Sequence, residues 1–396
     1  MNKKRVAIIC STDYMTYPMG GMMSFIVDIL PYLAKEFEIT LWGVSTNNDS
    51  VSNINLYGRT YPLKIFSKVK LTKKIIPNIF RVILDIQLKA KQILEEGYDI
   101  LYFHGIPLSF PFLKKKNEKS TPKIVNHVHG ITNPFAVNRN KIINNALMIN
   151  LYDRYRNKVI KESDMILLAS DKESYNSLLV KFDKEISQKI HYIPNFADPS
   201  IFTLHDKIEA RKLLQLPIGQ DILVNTGRLN IQKDPFLLLD AFAYLNKELH
   251  SNALLFLIGD GDLRDELEQK IKTMQIAENV RMLGRLERKA VALWLNASDL
   301  YVYTSFGNGF PIALIEAAMC GLPIVSTDVT GVHDLIFNDK TGYLASGRDH
   351  KDIAYKIKKA LEKKDILRNN ILEVSRSYTV EDISRKIREL FSMLCK

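Results

Sequence analysis

Glu316 is the only charged residue in positions 300–327, LYVYTSFGNGFPIALIEAAMCGLPIVST. Its flanks are apolar enough to be core, and burying a lone carboxylate costs several kcal/mol or forces it to take up a proton. A ligand with paired hydroxyls, such as a ribose, would use both carboxylate oxygens. An internal threonine or backbone N–H is the plainer partner. Two cations offer complementary chemistry. Arg228 and Lys233 stand five apart in DILVNTGRLNIQKDP (221–235), after Gly227 and before a helix start, which suits a diphosphate with two or three negative charges. Their pairing with Asp234 is the structural alternative. Gly20 and Gly21 open a helix after the first strand, where bare backbone N–H groups let an anion approach. His129, in NHVHGI, ends another strand, where ligands bind in parallel sheets.

These residues fall between elements that must place them. Short β-branched runs alternate with amphipathic stretches, which predicts βαβ units and parallel sheets. Strands are expected at 5–10, 39–44, 100–104, 123–129, 165–169 and 191–193, then at 221–226, 253–258, 280–283, 299–303 and 323–326. Helices are expected at 22–37, 79–95, 140–162, 171–181, 235–247, 263–274, 289–297 and 311–320, with two more near the C-terminus. Gly259 and Gly261 let the chain turn between a strand and a helix that Asp262 would cap. Pro311 is suited to the first helical position and Gly321 to the residue past the helix end. The pattern is two doubly wound α/β domains in tandem, dividing in IPNFADPSIF (193–202).

The 396 residues exceed one ordinary core, and 46% apolar with 25% charged residues is a globular profile. Three scattered cysteines and no Cys/His cluster support neither a disulfide framework nor a zinc site, so a reducing cytoplasm is expected. The apolar run 6–10 is too short for a signal peptide, and no uncharged stretch approaches a membrane span. Residues 1–198 carry 28 Lys and Arg against 18 Asp and Glu, whereas the other half is nearly balanced at 27 against 26. A basic first half attracts anionic partners, or is simply a solvated lysine-rich surface. Residues 64–81, KIFSKVKLTKKIIPNIFR, hold six cations and no acid among large apolar residues. Such a segment can lie on an anionic bilayer, which predicts peripheral membrane association; a helix packed on the core is the alternative.

The motifs GRLNIQKDP, LIGDGDLRDELE, VRMLG and NGFPIALIEAAMCGLPIVST together resemble the second domain of family-4 retaining glycosyltransferases. The MGG loop, HVHG, IPNFAD and KTGYLAS follow in the family's order, so the resemblance covers nearly the whole chain. It implies the GT-B fold: two Rossmann-like domains facing across a cleft that holds a nucleotide sugar. Residues 1–198 would be the acceptor-binding domain and 199–377 the donor-binding domain, with a helix at about 378–396 crossing back onto the first. The resemblance also implies roles. Arg228 and Lys233 would bind the donor diphosphate and stabilise the leaving group, and Glu316 would hold the ribose. Gly227, Gly259, Gly261, Arg281, Met282, Leu283, Gly309, Phe310, Pro311 and Ile312 would lie along the donor. Gly20 and Gly21 would approach the phosphate, and His129 the transferred sugar.

One position departs from the family. Asn308 stands eight residues before Glu316, where the family's E-x7-E motif has its first glutamate. Its amide can bond hydroxyls but carries no charge, and it remains a catalytic candidate. The implied reaction moves a hexose-type sugar, with retention, from a UDP- or GDP-sugar to a glycan or lipid-linked acceptor. The setting would be bacterial surface polysaccharide or lipopolysaccharide synthesis, alongside other assembly enzymes. Preorganised cations would stabilise the departing diphosphate, with no metal and no further cofactor. Two rivals share the fold: a catalytically impaired subunit that binds donor or scaffolds assembly, and a sugar-nucleotide epimerase. A nucleic-acid binder rests on charge alone and lacks a recognition module.

Overall fold

The apolar run in KRVAIIC becomes strand β1 (Lys4–Cys10), whose last five residues are buried, as strands covered on both faces are. The computed structural model describes residues 3–16, 21–46, 52–56, 58–69, 78–113, 121–129, 133, 145–306 and 311–395. The chain divides into two compact units, Met1–Pro194 with Glu381–Lys396 and Asn195–Val380, against an expected division at 198/199.

Unit 1 holds an eight-stranded sheet, ordered β3-β4-β2-β1-β5-β6-β7-β8. Its strands are β2 (Phe37–Ser45), β3 (Asn53–Leu56), β4 (Arg59–Lys68), β5 (Ile100–His104), β6 (Lys123–Val128), β7 (Met165–Leu168) and β8 (Ile190–Tyr192), with β1. All neighbours pair in parallel except the hairpin β3–β4. Unit 2 holds six parallel strands, β11-β10-β9-β12-β13-β14. These are β9 (Ile222–Thr226), β10 (Leu254–Ile258), β11 (Val280–Gly284), β12 (Leu300–Tyr303), β13 (Ile324–Thr327) and β14 (Gly342–Ala345). In each sheet the first strand lies inside, so successive connections wind to opposite sides: β1 between β2 and β5, β9 between β10 and β12. That reversal opens a crevice at the carboxyl ends of the central strands.

Several expectations change. The first helix, Gly21–Leu33, stops short of residue 37 because Phe37 starts β2 and pairs with Lys4. The basic segment is split. Residues 64–68 belong to β4, 70–77 lie outside the described residues, and 78–81 begin the helix Asn78–Glu95. Lys64 is engaged in the fold: its ammonium is 2.6 Å from Glu96 and lies over the Trp42 ring. Helices Ile106–Leu113 and Lys207–Leu213 were not expected. Asp262 does not cap; the helix Arg264–Thr273 starts after Leu263 with no side-chain cap. Pro311 has extended backbone and precedes the helix Ile312–Met319 instead of entering it. Gly321 ends that helix at φ 75°: its N–H donates to Ala318 O (2.9 Å) and that of Leu322 to Ala317 O (3.0 Å). Those two bonds satisfy the last carbonyls in a left-handed termination.

The C-terminal helix, Val380–Leu394, belongs largely to unit 1. Its Phe391 is buried edge-on against Phe37 and Tyr102, and Tyr32 donates to Glu381 at 2.5 Å.

Candidate active site

In unit 2 the loops after β9, β10, β12 and β13 are bound to one another. The turn after β9 runs against the turn after β10: Gly227 N donates to Ile258 O (2.9 Å), Leu229 N to Asp260 O (3.0 Å) and Leu263 N to Leu229 O (3.1 Å). This contact is why the β10 turn carries glycines. A Cβ at Gly259 would sit 1.8 Å from Gly227 O, and one at Gly261 would sit 2.4 Å from Leu229 O. Their first role is close backbone approach. The loop after β12 is tied down likewise. Thr304 donates to Asp234 O (2.9 Å), Ser305 to Gln232 O (2.9 Å), and Thr327 to Ser305 O (2.6 Å).

This frame presents two cations. Arg228 is exposed and Lys233 half-buried, and among the described residues neither has a carboxylate within ion-pair distance. The expected competitor, Asp234, is occupied. It caps the helix Pro235–Lys247 through Leu237 N and pairs with Arg348, whose guanidinium also lies over Phe306. Lys233 donates to the Tyr303 hydroxyl at 2.9 Å, so the end of β12 aims its ammonium. A guanidinium and an ammonium with unspent charge, beside the first turn of a helix, can hold a diphosphate.

Glu316 is half-buried, where the sequence led to a fully buried carboxylate. Its charge helps push up the buried hydroxyl of Tyr301, after burial and against bonds to Thr226. It acts likewise on the Cys320 thiol, which burial raises first. The Tyr301 hydroxyl is fixed by Thr226, whose Oγ1 lies at 3.0 Å and whose carbonyl accepts at 3.0 Å. Glu316 therefore shares its surroundings with the residue that precedes Gly227. Pro311 and Ile312 are half-buried at the start of the same helix. Arg281 is exposed and donates to Ala277 O, while Met282 and Leu283 are partly buried against hydrophobic clusters. Asn308, Gly309 and Phe310 lie outside the described residues, as does Gly20; Gly21 begins the first helix and is exposed.

In unit 1, three imidazoles gather at the ends of β5 and β6. His104 and His127 are buried, and His129 is half-buried. His104 Nδ1 lies 2.9 Å from His129 Nε2, and the Tyr102 hydroxyl bonds His127 Nδ1. Burial and neighbouring imidazoles push His104 and His127 well down; burial alone takes His129 to about 4. All three are neutral at ordinary pH. The nitrogens lie within 4.8 Å of one another, yet the His127 and His129 rings are stacked within 2° of parallel. Imidazole lone pairs lie in the ring plane, so stacked rings do not converge on one ion. Sequence reading found His129 but not His104, although both strands end in the same His-Gly pair, YFHG and HVHG. It also missed Asp13, which is buried after β1 and accepts from Met15 N and from Thr46 N and Oγ1.

Two Rossmann-like units in one chain, each with polar residues gathered at the ends of its central strands, define the GT-B fold. Sucrose-phosphate synthase from Thermosynechococcus elongatus shares the fold across 99% of both chains, with a TM-score of 0.78 at 17% identity. Residues 206–378 match the family model for glycosyl transferases group 1. It is 28% identical to N-acetyl-alpha-D-glucosaminyl L-malate synthase from Bacillus anthracis, over 69% of this chain and 68% of that protein. It is 27% identical to the UDP-Gal:alpha-D-GlcNAc-diphosphoundecaprenol alpha-1,3-galactosyltransferase of Escherichia coli, over 65% of each. It spans about half the length of other curated relatives that it matches. Among the described residues no helix is long and apolar enough to cross a membrane.

Proposed function

We propose that this glycosyltransferase acts as a family-4 retaining enzyme, moving a hexose-type sugar from a nucleotide-diphosphate sugar to a glycan or lipid-linked acceptor. The observation that carries the reading is the loop after β9. Arg228 and Lys233 keep their charge unspent because Asp234 is held by Arg348. In this reading they bind the donor diphosphate and stabilise the negative charge that builds on it as the glycosyl bond breaks. Glu316 accepts the ribose hydroxyls, and His129 stands by the transferred sugar. Unit 2 is the donor-binding domain and unit 1 the acceptor-binding domain. A UDP-sugar is the favoured donor and a polyprenyl-diphosphate glycan the favoured acceptor, in keeping with the Escherichia coli galactosyltransferase that this chain resembles. Cations supply what a metal supplies elsewhere, so no metal is required.

Binding of a nucleotide sugar stabilises the folded protein by mass action, about 2.7 kcal/mol at a hundred times Kd. A thermal-shift panel of UDP-, GDP- and ADP-sugars should therefore single out the donor base. Glu316→Ala is expected to abolish that shift, and an unchanged shift would sink the ribose assignment. The second reading, a subunit that binds donor without turning it over, is favoured by Asn308. A clear thermal shift with no sugar transferred to any acceptor, at any pH, would select it.

Membrane association is part of the proposal in a revised form. The helix Asn78–Glu95 exposes Leu84 and Leu88 beside Lys89, with Arg81 and Lys91 paired to Asp85 and Glu95 along the same helix, which gives an apolar strip with a charged rim. Co-sedimentation with anionic vesicles at low salt is expected, and Leu84→Ser with Leu88→Ser should abolish it. Absence of the wild-type protein from the pellet would refute the attachment.

A further inference from the structure

We propose that His104 is a positioning residue that holds the His129 imidazole in one tautomer, with its hydrogen on Nδ1, so that His129 meets its ligand as a hydrogen-bond donor. The proposal rests on the reading of His129 as the histidine beside the transferred sugar. His104 ends β5 and pairs in register with His127 of β6. The His104 and His129 rings are inclined by 25° with centroids 5.2 Å apart, and Nδ1 of the first is 2.9 Å from Nε2 of the second. Both imidazoles are neutral, so a single hydrogen lies between those nitrogens.

Ownership of that hydrogen decides what His129 shows its ligand. If it belonged to His129, the His104 hydrogen would sit on Nε2, a buried atom with no hydrogen-bond partner among the described residues. A buried N–H without an acceptor is rarer and costlier than an unused lone pair. The hydrogen therefore belongs to His104 Nδ1, and His129 Nε2 accepts it. The second hydrogen of the pair is left on His129 Nδ1. Phe25 meets the His129 ring edge-on, with centroids 5.5 Å apart, and His127 stacks on it at 4.5 Å, so the ring plane is held as well as its tautomer. A neutral donor favours sugar or phosphate oxygens.

The test is selective 15N-histidine labelling of the full chain, with the His129 signals identified among the eight histidines by His129→Gln. In the wild type, His129 Nδ1 should resonate in the protonated range and Nε2 in the unprotonated range. His104→Phe fills the same buried space without a donor and should swap the two, restoring the Nε2–H form that free imidazole side chains prefer in water. His104→Asn puts an amide where Nδ1 was and should return the wild-type pattern. A wild-type spectrum with Nε2–H overturns the proposal without need of a variant. So does a folded His104→Phe protein with unchanged His129 signals. UDP-galactose, added as probe, should raise the melting temperature and move the His129 Nδ1 signal. A raised melting temperature with both His129 signals unmoved would remove the ligand-facing role, a failure distinct from that of the His104 hydrogen bond.

Discussion

Lys233 shows how one side chain comes to be available for chemistry. Its carboxylate neighbour Asp234 is a helix cap and the partner of Arg348, and a phenol instead of an acid orients the ammonium. A lysine paired with a carboxylate would have to be stripped of it before binding an anion; among the described residues this one would leave only the Tyr303 hydroxyl and ring. Lys233→Ala is expected to lower transfer by about a hundredfold or more, the scale of removing one donor from a site of developing negative charge. Equal rates for variant and wild type in a single-turnover assay would refute the role. The sequence places Arg228 and Lys233 between a glycine turn and a helix start, and the structure has both on that loop between β9 and the helix Pro235–Lys247. Tyr303 was not legible, since an aromatic residue at a strand end is usually core. Glu316 was read as a buried charge and is half-buried, because a helix apolar in composition can still leave one position beside a loop.

At the scale of elements, the glycines after β9 and β10 are a device for bringing two turns into backbone contact. Gly259, at φ 140°, has no room for a Cβ beside Gly227 O. Gly259→Ala should cost roughly 2–5 kcal/mol from overpacking and backbone strain together. Chemical denaturation would show it, and a variant as stable as the wild type would mean the turns separate freely. The strand, glycine, helix order was readable for every central strand of unit 2, where apolar runs are short and sharply bounded. It failed at the hairpin β3–β4, in which buried and exposed residues alternate and Pro62 interrupts the pattern. It failed too for the basic segment, since charge and apolarity alone do not distinguish a sheet strand from a surface helix. Lys64 is spent on Glu96 and Trp42 inside unit 1, whereas the exposed leucines of Asn78–Glu95 keep the membrane prediction alive on different residues.

For the whole molecule, the alternation of strand and helix periods was enough to give two doubly wound sheets, because that pattern buries both faces in only a few ways. What alternation could not reveal is the return of the chain to unit 1, where Phe391 completes a core begun by Phe37 and Tyr102. Phe391→Ala is expected to destabilise unit 1 by about 3–5 kcal/mol. Calorimetry would detect this as an earlier melting step, and an unchanged melting profile would show that the terminal helix is dispensable.

That return has a further consequence. Ala197 and Thr379 form a parallel bridge: Ala197 N donates to Tyr378 O (3.1 Å) and Val380 N to Ala197 O (3.2 Å). The chain thus enters and leaves unit 2 side by side. The two ends of unit 2 are already stapled by main-chain bonds of its own, so excising residues 195–380 would leave a pair of adjacent attachment points.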